Sequence, residues 1–130
     1  MNSFRKVLRS KIHRATVTHA DLDYEGSITI APELLDAAGI SEFEAVQVWN
    51  VTNGNRFETY TISGEPGSSA ICVNGAAAHL VKPGDLVIIA CFQHIRQQEL
   101  VNYKPTVIFV DQNNQIINQR SEVAGPFRRL

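Results

Sequence analysis

Eight polar side chains in the first 74 residues are of types that attack, protonate or hold a small polar substrate: Lys11, His13, Tyr24, Ser27, Arg56, Thr59, Tyr60 and Asn74. Ser27 can act as a nucleophile. Lys11 and Arg56 suit carboxylates, the guanidinium in bidentate fashion. Tyr60 and His13 can carry protons. Asn74 is followed by Gly75, Ala76 and Ala77, small residues that let a backbone approach a compact ligand. Each residue also has a plainer structural explanation. Lys11 and His13 fit the wet face of a strand, Arg56 and Tyr60 fit hairpin surface pairs, and Ser27 and Asn74-Gly75 fit turns. A hydrolase triad can be assembled by type from Ser27, His13 or His19, and Asp21 or Asp23. The context speaks against it, because Tyr24-Glu25-Gly26-Ser27-Ile28 lacks the GxSxG elbow and no strand-turn-helix is expected there. Residue types and spacing leave the chemistry open.

The elements that must position these residues are short strands. Residues 4–20 alternate in part and are rich in Val, Ile and Thr, which predicts an extended strand with Lys11 and His13 on one face. Residues 21–27 read as a turn in which Gly26 can supply a positive φ, followed by strand 28–30. Pro32 and Gly39 bracket a short helix, with Ala31 a poor N-cap. Strands 44–52 and 56–62 flank Asn53-Gly54, a hairpin signal. Arg56 and Tyr60 then share a face from which Thr59 points away. A short apolar strand at 70–73 leads into a helical turn or two over 74–81, and residues 86–92 read as a strand buried on both faces. Residues 103–110 and 115–118 form a last hairpin, and the tail from Arg120 is expected to fray. Many short strands with two short helices predict a mainly β domain, a closed or partly closed barrel.

Composition narrows the function classes. The 130 residues, 44% of them hydrophobic, suffice for one domain. A formal charge of -1 gives no field to draw the chain onto nucleic acid or anionic lipid, so a small ligand is expected. The basic N-terminus has no long apolar core, and no segment reaches membrane-spanning length, so neither signal peptide nor membrane span is expected. Cys72 and Cys91 lie in the apolar runs AICVN and IIACF and read as free thiols. No CxxC or HxxxH spacing occurs, so no metal site is expected, and the cytoplasm is the natural compartment.

Five blocks carry a resemblance: KIHRATVTHADLDYEGSITI (11–30), LLDAAGI (34–40), WNVTNGNRFETY (49–60), VNGAAAHLV (73–81) and GDLVIIA (84–90). In this order and spacing, YEGS, NGxRFxTY and NGAAA resemble the bacterial pyruvoyl-dependent aspartate 1-decarboxylases. The match runs from about Lys11 to Phe92 and is faint beyond. The resemblance implies a double-psi β-barrel with short helices, assembled as a homotetramer with active sites between subunits. It implies decarboxylation of L-aspartate to β-alanine for pantothenate synthesis. It further implies an inactive proenzyme of one domain, residues 1–130, that cleaves itself between Gly26 and Ser27 into chains 1–26 and 27–130. In some bacteria an acetyltransferase-like maturation factor assists.

By the same resemblance, Ser27 becomes the pyruvoyl group, whose ketone forms a Schiff base with aspartate and draws electrons from the departing carboxylate. Tyr60 resembles the proton donor, Thr59 the residue that polarises the scissile carbonyl, and Tyr24 and Glu25 residues that shape the bend. Lys11, Arg56, Thr59, Asn74, Gly75, Ala76 and Ala77 resemble the substrate contacts, and His13 stands beside them as a further candidate. Ser10, Ala31 and Pro66 depart from the family pattern, where glycine, aspartate and arginine are usual.

Overall fold

The computed structural model describes residues 3–125. Among them are nine strands: β1 (Phe4–Thr16), β2 (His19–Asp21), β3 (Ser27–Ile30), β4 (Ala45–Asn50), β5 (Arg56–Ser63), β6 (Ile71–Asn74), β7 (Leu86–Arg96), β8 (Thr106–Val110) and β9 (Ile116–Ser121). One α-helix, α1 (Pro32–Ala38), and two 3-10 turns, Gly75–Leu80 and Gln97–Leu100, complete the set. The strands form one ladder in the order β2-β6-β3-β5-β4-β7-β1-β8-β9. The fold is mainly β, in keeping with a double-psi barrel, and among the described residues no pairing closes the two ends of the ladder.

What holds the ladder together is a single apolar cluster. Ile12, Ile28, Val48, Ile71, Val73, Ile89 and Ile108, from six of the strands, are wholly buried in it, and Leu34 of α1 joins them. One cluster fed by strands far apart in the ladder requires the sheet to curl around it. Parallel pairings at β1–β8, β2–β6 and β3–β5 supply the crossovers. These link segments distant in sequence, which hairpin signals cannot reveal.

Several expectations hold and several need correction. The helix spans Pro32–Ala38 with Gly39 at φ 67° as its left-handed stop, and Ala31 gives it no side-chain cap. Lys11 and His13 do share a face. Beyond them a bulge with Arg14 at φ 62° shifts the register, so that Ile12 and Ala15 are both buried. Asn53-Gly54 is not a two-residue hairpin turn: residues 51–55 separate β4 from β5, and only Gly54 has positive φ. The strand from residue 86 runs on to Arg96, and Leu86 and Ile88 are only partly buried, so its start alternates. Arg120 and Ser121 do not fray but pair with Val107 and Thr106 in β9; the end of the tail, 126–130, lies outside the described residues. Ser10, the departure from glycine, is buried, with its hydroxyl on the Ala38 carbonyl at 2.6 Å.

Candidate active site

The β3–β6 ladder builds a square of polar side chains. In its antiparallel register Ser27 lies opposite Asn74 and Thr29 opposite Cys72. Residues two apart on a strand share a face, so all four side chains stand on one side of the ladder. On the other flank of β3, the parallel register pairs Ile28 with Thr61, and extending it by one residue sets Ser27 beside Tyr60. These strands thus wall a cleft of about 350 Å³, lined by Asp21, Tyr24, Glu25, Gly26, Ser27, Thr29, Tyr60, Ile62, Cys72 and Asn74.

Within it the chain passes from exposed loop to buried strand across one peptide bond. Tyr24, Glu25 and Gly26 are exposed, whereas Ser27 is 2% exposed. Buried polar atoms need partners. Asn74, 4% exposed, supplies one: its Nδ2 donates to Ser27 Oγ at 3.1 Å and to Thr29 Oγ1 at 3.2 Å. The Cys72 thiol donates to Asn74 Oδ1 at 3.1 Å. Burial pushes the Cys72 thiol up, with the charge of Asp21 adding to it, so the sulfur stays protonated.

Gly75 has a role that its sequence context only half discloses. Its φ is 74°, and a Cβ built there would lie 2.8 Å from Gly26 Cα, 2.9 Å from Gly26 N and 3.2 Å from Tyr24 O. The missing side chain makes room for the chain itself. The loop ahead of Ser27 rests on Gly75 at a distance that only glycine permits. Gly26, contrary to expectation, does not have positive φ, and a Cβ there would meet nothing within 4 Å.

A nucleophile, a buried amide donor and a tightly seated glycine loop meet in one cleft. The family model for aspartate decarboxylase matches residues 3–117. An aspartate 1-decarboxylase of Legionella pneumophila (strain Lens) is 64% identical over 95% of this chain and 92% of its own length. One from Myxococcus xanthus (strain DK1622) is 60% identical over 96% of this chain and 97% of its own. The chain belongs to the aspartate decarboxylase family.

Of the residues that the resemblance to the aspartate decarboxylases singles out, Tyr24, Gly26, Ser27, Tyr60 and Asn74 line the cleft, and Gly75 underlies it. Ala76 and Ala77 follow in the 3-10 turn and are not among the lining residues. Lys11 and His13 line a different cavity with Phe109, Arg120 and Glu122. There Lys11 Nζ pairs with Glu122 Oε1 at 2.9 Å. The His13 ring packs edge-on against Phe109 at 5.3 Å between centroids. Burial, then the charges of Lys11 and Arg14, hold the His13 imidazole below its ordinary range. Arg56 stacks over Trp49, 4.5 Å from its ring centroid. Thr59 lies outside the cleft, and among the described residues no hydrogen bond joins it to Gly26. Sequence reasoning passed over Thr29 and Cys72. Their spacing of two from Ser27 and Asn74 was the available signal, but only the β3–β6 register gives it meaning.

Proposed function

We propose that the protein converts L-aspartate to β-alanine and CO2 on a pyruvoyl group made from its own Ser27. The observation that carries this reading is the buried Ser27 Oγ, held by Asn74 at the end of a loop seated on Gly75. In the cleavage, Ser27 Oγ attacks the Gly26 carbonyl carbon, the C–N bond breaks, and the acyl group moves from nitrogen to oxygen. Loss of the Ser27 α-proton then breaks Cβ–Oγ and releases Gly26 as a carboxylate. Hydrolysis of the remaining unsaturated amine consumes water, expels ammonia and leaves a ketone at position 27. Asn74 Nδ2 already donates to the oxygen that departs with Gly26, where negative charge gathers.

The cleft fits the group it would form. Position 27 sits against a buried donor amide in a cleft that Tyr60 also lines, and the residues before it, 24–26, are exposed. The pyruvoyl ketone supplies an electron sink for decarboxylation. Tyr60 Oη holds a proton for delivery to the substrate α-carbon. Lys11 and Arg56 hold substrate carboxylates. Lys11 already faces the carboxylate of Glu122, a geometry that a substrate carboxylate would reproduce.

The two cations do not reach Ser27 within one chain. Arg56 lies four residues from Tyr60 along β5, about 13 Å at ~3.3 Å per residue, and it is stacked on Trp49. A homotetramer with sites between subunits supplies them from a neighbour, in the manner of an interface that completes each site. We place the enzyme in the cytoplasm, where the free thiols Cys72 and Cys91 stay reduced. No described helix is long and apolar enough to cross a membrane.

Intact-mass spectrometry tests the reading. The expected result is two chains, 1–26 and 27–130, the larger without an α-amine, while Ser27→Ala stays whole and releases no CO2 from aspartate. If processing needs a maturation factor, the full-length chain converts once a cognate lysate is added. Aspartate decarboxylation by Ser27→Ala would sink the mechanism.

A further inference from the structure

Two side chains in the cleft, Thr29 and Cys72, take no part in the cleavage steps, yet both end on Asn74. Cys72 donates its S–H to Oδ1 at 3.1 Å, and Thr29 Oγ1 accepts from Nδ2 at 3.2 Å. The Asn74 carboxamide has two ends of nearly equal shape, one donating and one accepting, and a half-turn exchanges them. At 4% exposure there is little water to choose between the two orientations, so the neighbours must.

We propose that Cys72 and Thr29 are positioning residues for self-cleavage: the thiol sets the Asn74 amide so that Nδ2 rather than Oδ1 faces Ser27 Oγ, and the Thr29 hydroxyl holds its second hydrogen. The inference rests on the cleavage reading above and adds to it the residues that set the amide's direction. The β3–β6 register places the four groups as two cross-strand pairs, Ser27 with Asn74 and Thr29 with Cys72. In the orientation found, each amide hydrogen has an oxygen acceptor and Oδ1 has a donor. Turned over, Oδ1 would accept from the two hydroxyls, but Nδ2 would face only sulfur, a weak acceptor, so the S–H···Oδ1 contact is what sets the direction.

The direction matters most at the elimination step. When Cβ–Oγ breaks, charge collects on the carboxylate that carries Oγ away. A donor aimed there lowers the barrier, and a carbonyl oxygen in its place raises it. Burial keeps the Cys72 thiol protonated and therefore able to donate. The two residues act through Asn74 and need not touch the reacting atoms.

A time course of cleavage by intact mass, with melting temperatures measured on the same samples, decides the matter. Cys72→Ala removes the donor and should slow cleavage by about three- to tenfold, the worth of one modest hydrogen bond, and Cys72→Ser, whose hydroxyl donates and accepts alike and so no longer tells the two orientations apart, should slow it by no more than that. Thr29→Val, which keeps the shape and removes the acceptor, should slow by a similar factor, giving a second reading should Cys72→Ala fold poorly. Wild-type rates for both Cys72→Ala and Thr29→Val would overturn the inference. Ser27→Ala separates the two levels: if it is still cleaved, the cleavage reading falls. If it stays whole while wild type is cleaved, that reading stands and the Cys72 and Thr29 series alone judges the positioning role.

Discussion

Gly75→Ala is the sharpest test of how the scissile loop is held. The new Cβ would lie 2.8 Å from Gly26 Cα, about 0.6 Å short of ordinary van der Waals contact, and 2.9 Å from Gly26 N. It would also place a non-glycine residue at φ 74°, which costs about 1–2 kcal/mol. At ~2.1 cal/mol/K per residue, a chain of this size loses about 4 °C of melting temperature per kcal/mol, so that strain alone lowers Tm by about 4–8 °C. Gly67→Ala supplies the control: its φ is 75°, but its Cβ would meet nothing within 4 Å. The two variants share the backbone strain and differ in the clash. Because residues 24–26 are exposed, the loop and not the core should give way. Retreat of the attacked carbonyl by a sizeable fraction of an ångström should slow cleavage by about 10²-fold. The assay is cleavage by intact mass beside thermal denaturation of both variants. Gly75→Ala cleaving as fast as Gly67→Ala would refute the idea that this contact seats the scissile bond.

Three further predictions concern other groups. The half-buried His13 binds its proton less readily folded than unfolded, so its contribution to stability is complete above the unfolded value of about 6.5 and is lost as pH falls below it. His13→Phe should therefore lose less Tm than wild type on acidification from about pH 7.5 to about 5.5; equal losses would show that His13 is not responsible. Tyr60→Phe should cleave normally yet release CO2 from aspartate about 10²–10⁴-fold more slowly, and unchanged turnover would remove Tyr60 from the proton transfer. Mixed assemblies of Ser27→Ala and Arg56→Ala chains, each inactive alone, should recover about a quarter of wild-type activity if one subunit supplies position 27 and its neighbour Arg56. No recovery in a mixed assembly would place both groups in one chain.

Local signals in the sequence were dependable where local chemistry decides. Pro32 and Gly39 bracket α1 as expected, and the strand pattern around Lys11 and His13 holds up to the bulge. What the sequence hid is long-range. The pairing of β3 with β6 brings Ser27 to Asn74 across 47 positions, and no periodicity encodes it. The small residues after Asn74 signalled close approach, but toward a ligand; at Gly75 the approaching group is the backbone of Gly26 and Tyr24. Ser27 itself looked like a turn serine, and its burial beneath an exposed loop is a tertiary fact. The resemblance gathered residues that the folded chain keeps apart, because spacing in a motif does not say which cavity a side chain will line.

That separation has an electrostatic logic. Among the described residues lining the Ser27 cleft are two carboxylates, Asp21 and Glu25, and no lysine or arginine. Both are exposed, so a like charge about 5 Å away meets a repulsion of only about 1 kcal/mol, but the cleft alone offers a dicarboxylate such as aspartate no charge attraction. The chain's own candidate cations are meanwhile occupied, Lys11 by Glu122 and Arg56 by the face of Trp49. Self-cleavage needs none of them, since Ser27, Gly26, Asn74 and Gly75 all belong to one cleft of one chain. Substrate binding needs at least one. On the proposed reading the two halves of the chemistry differ in what they require of the protein: one fold suffices to make the group at position 27, and a neighbouring chain brings the positive charge that lets aspartate reach it.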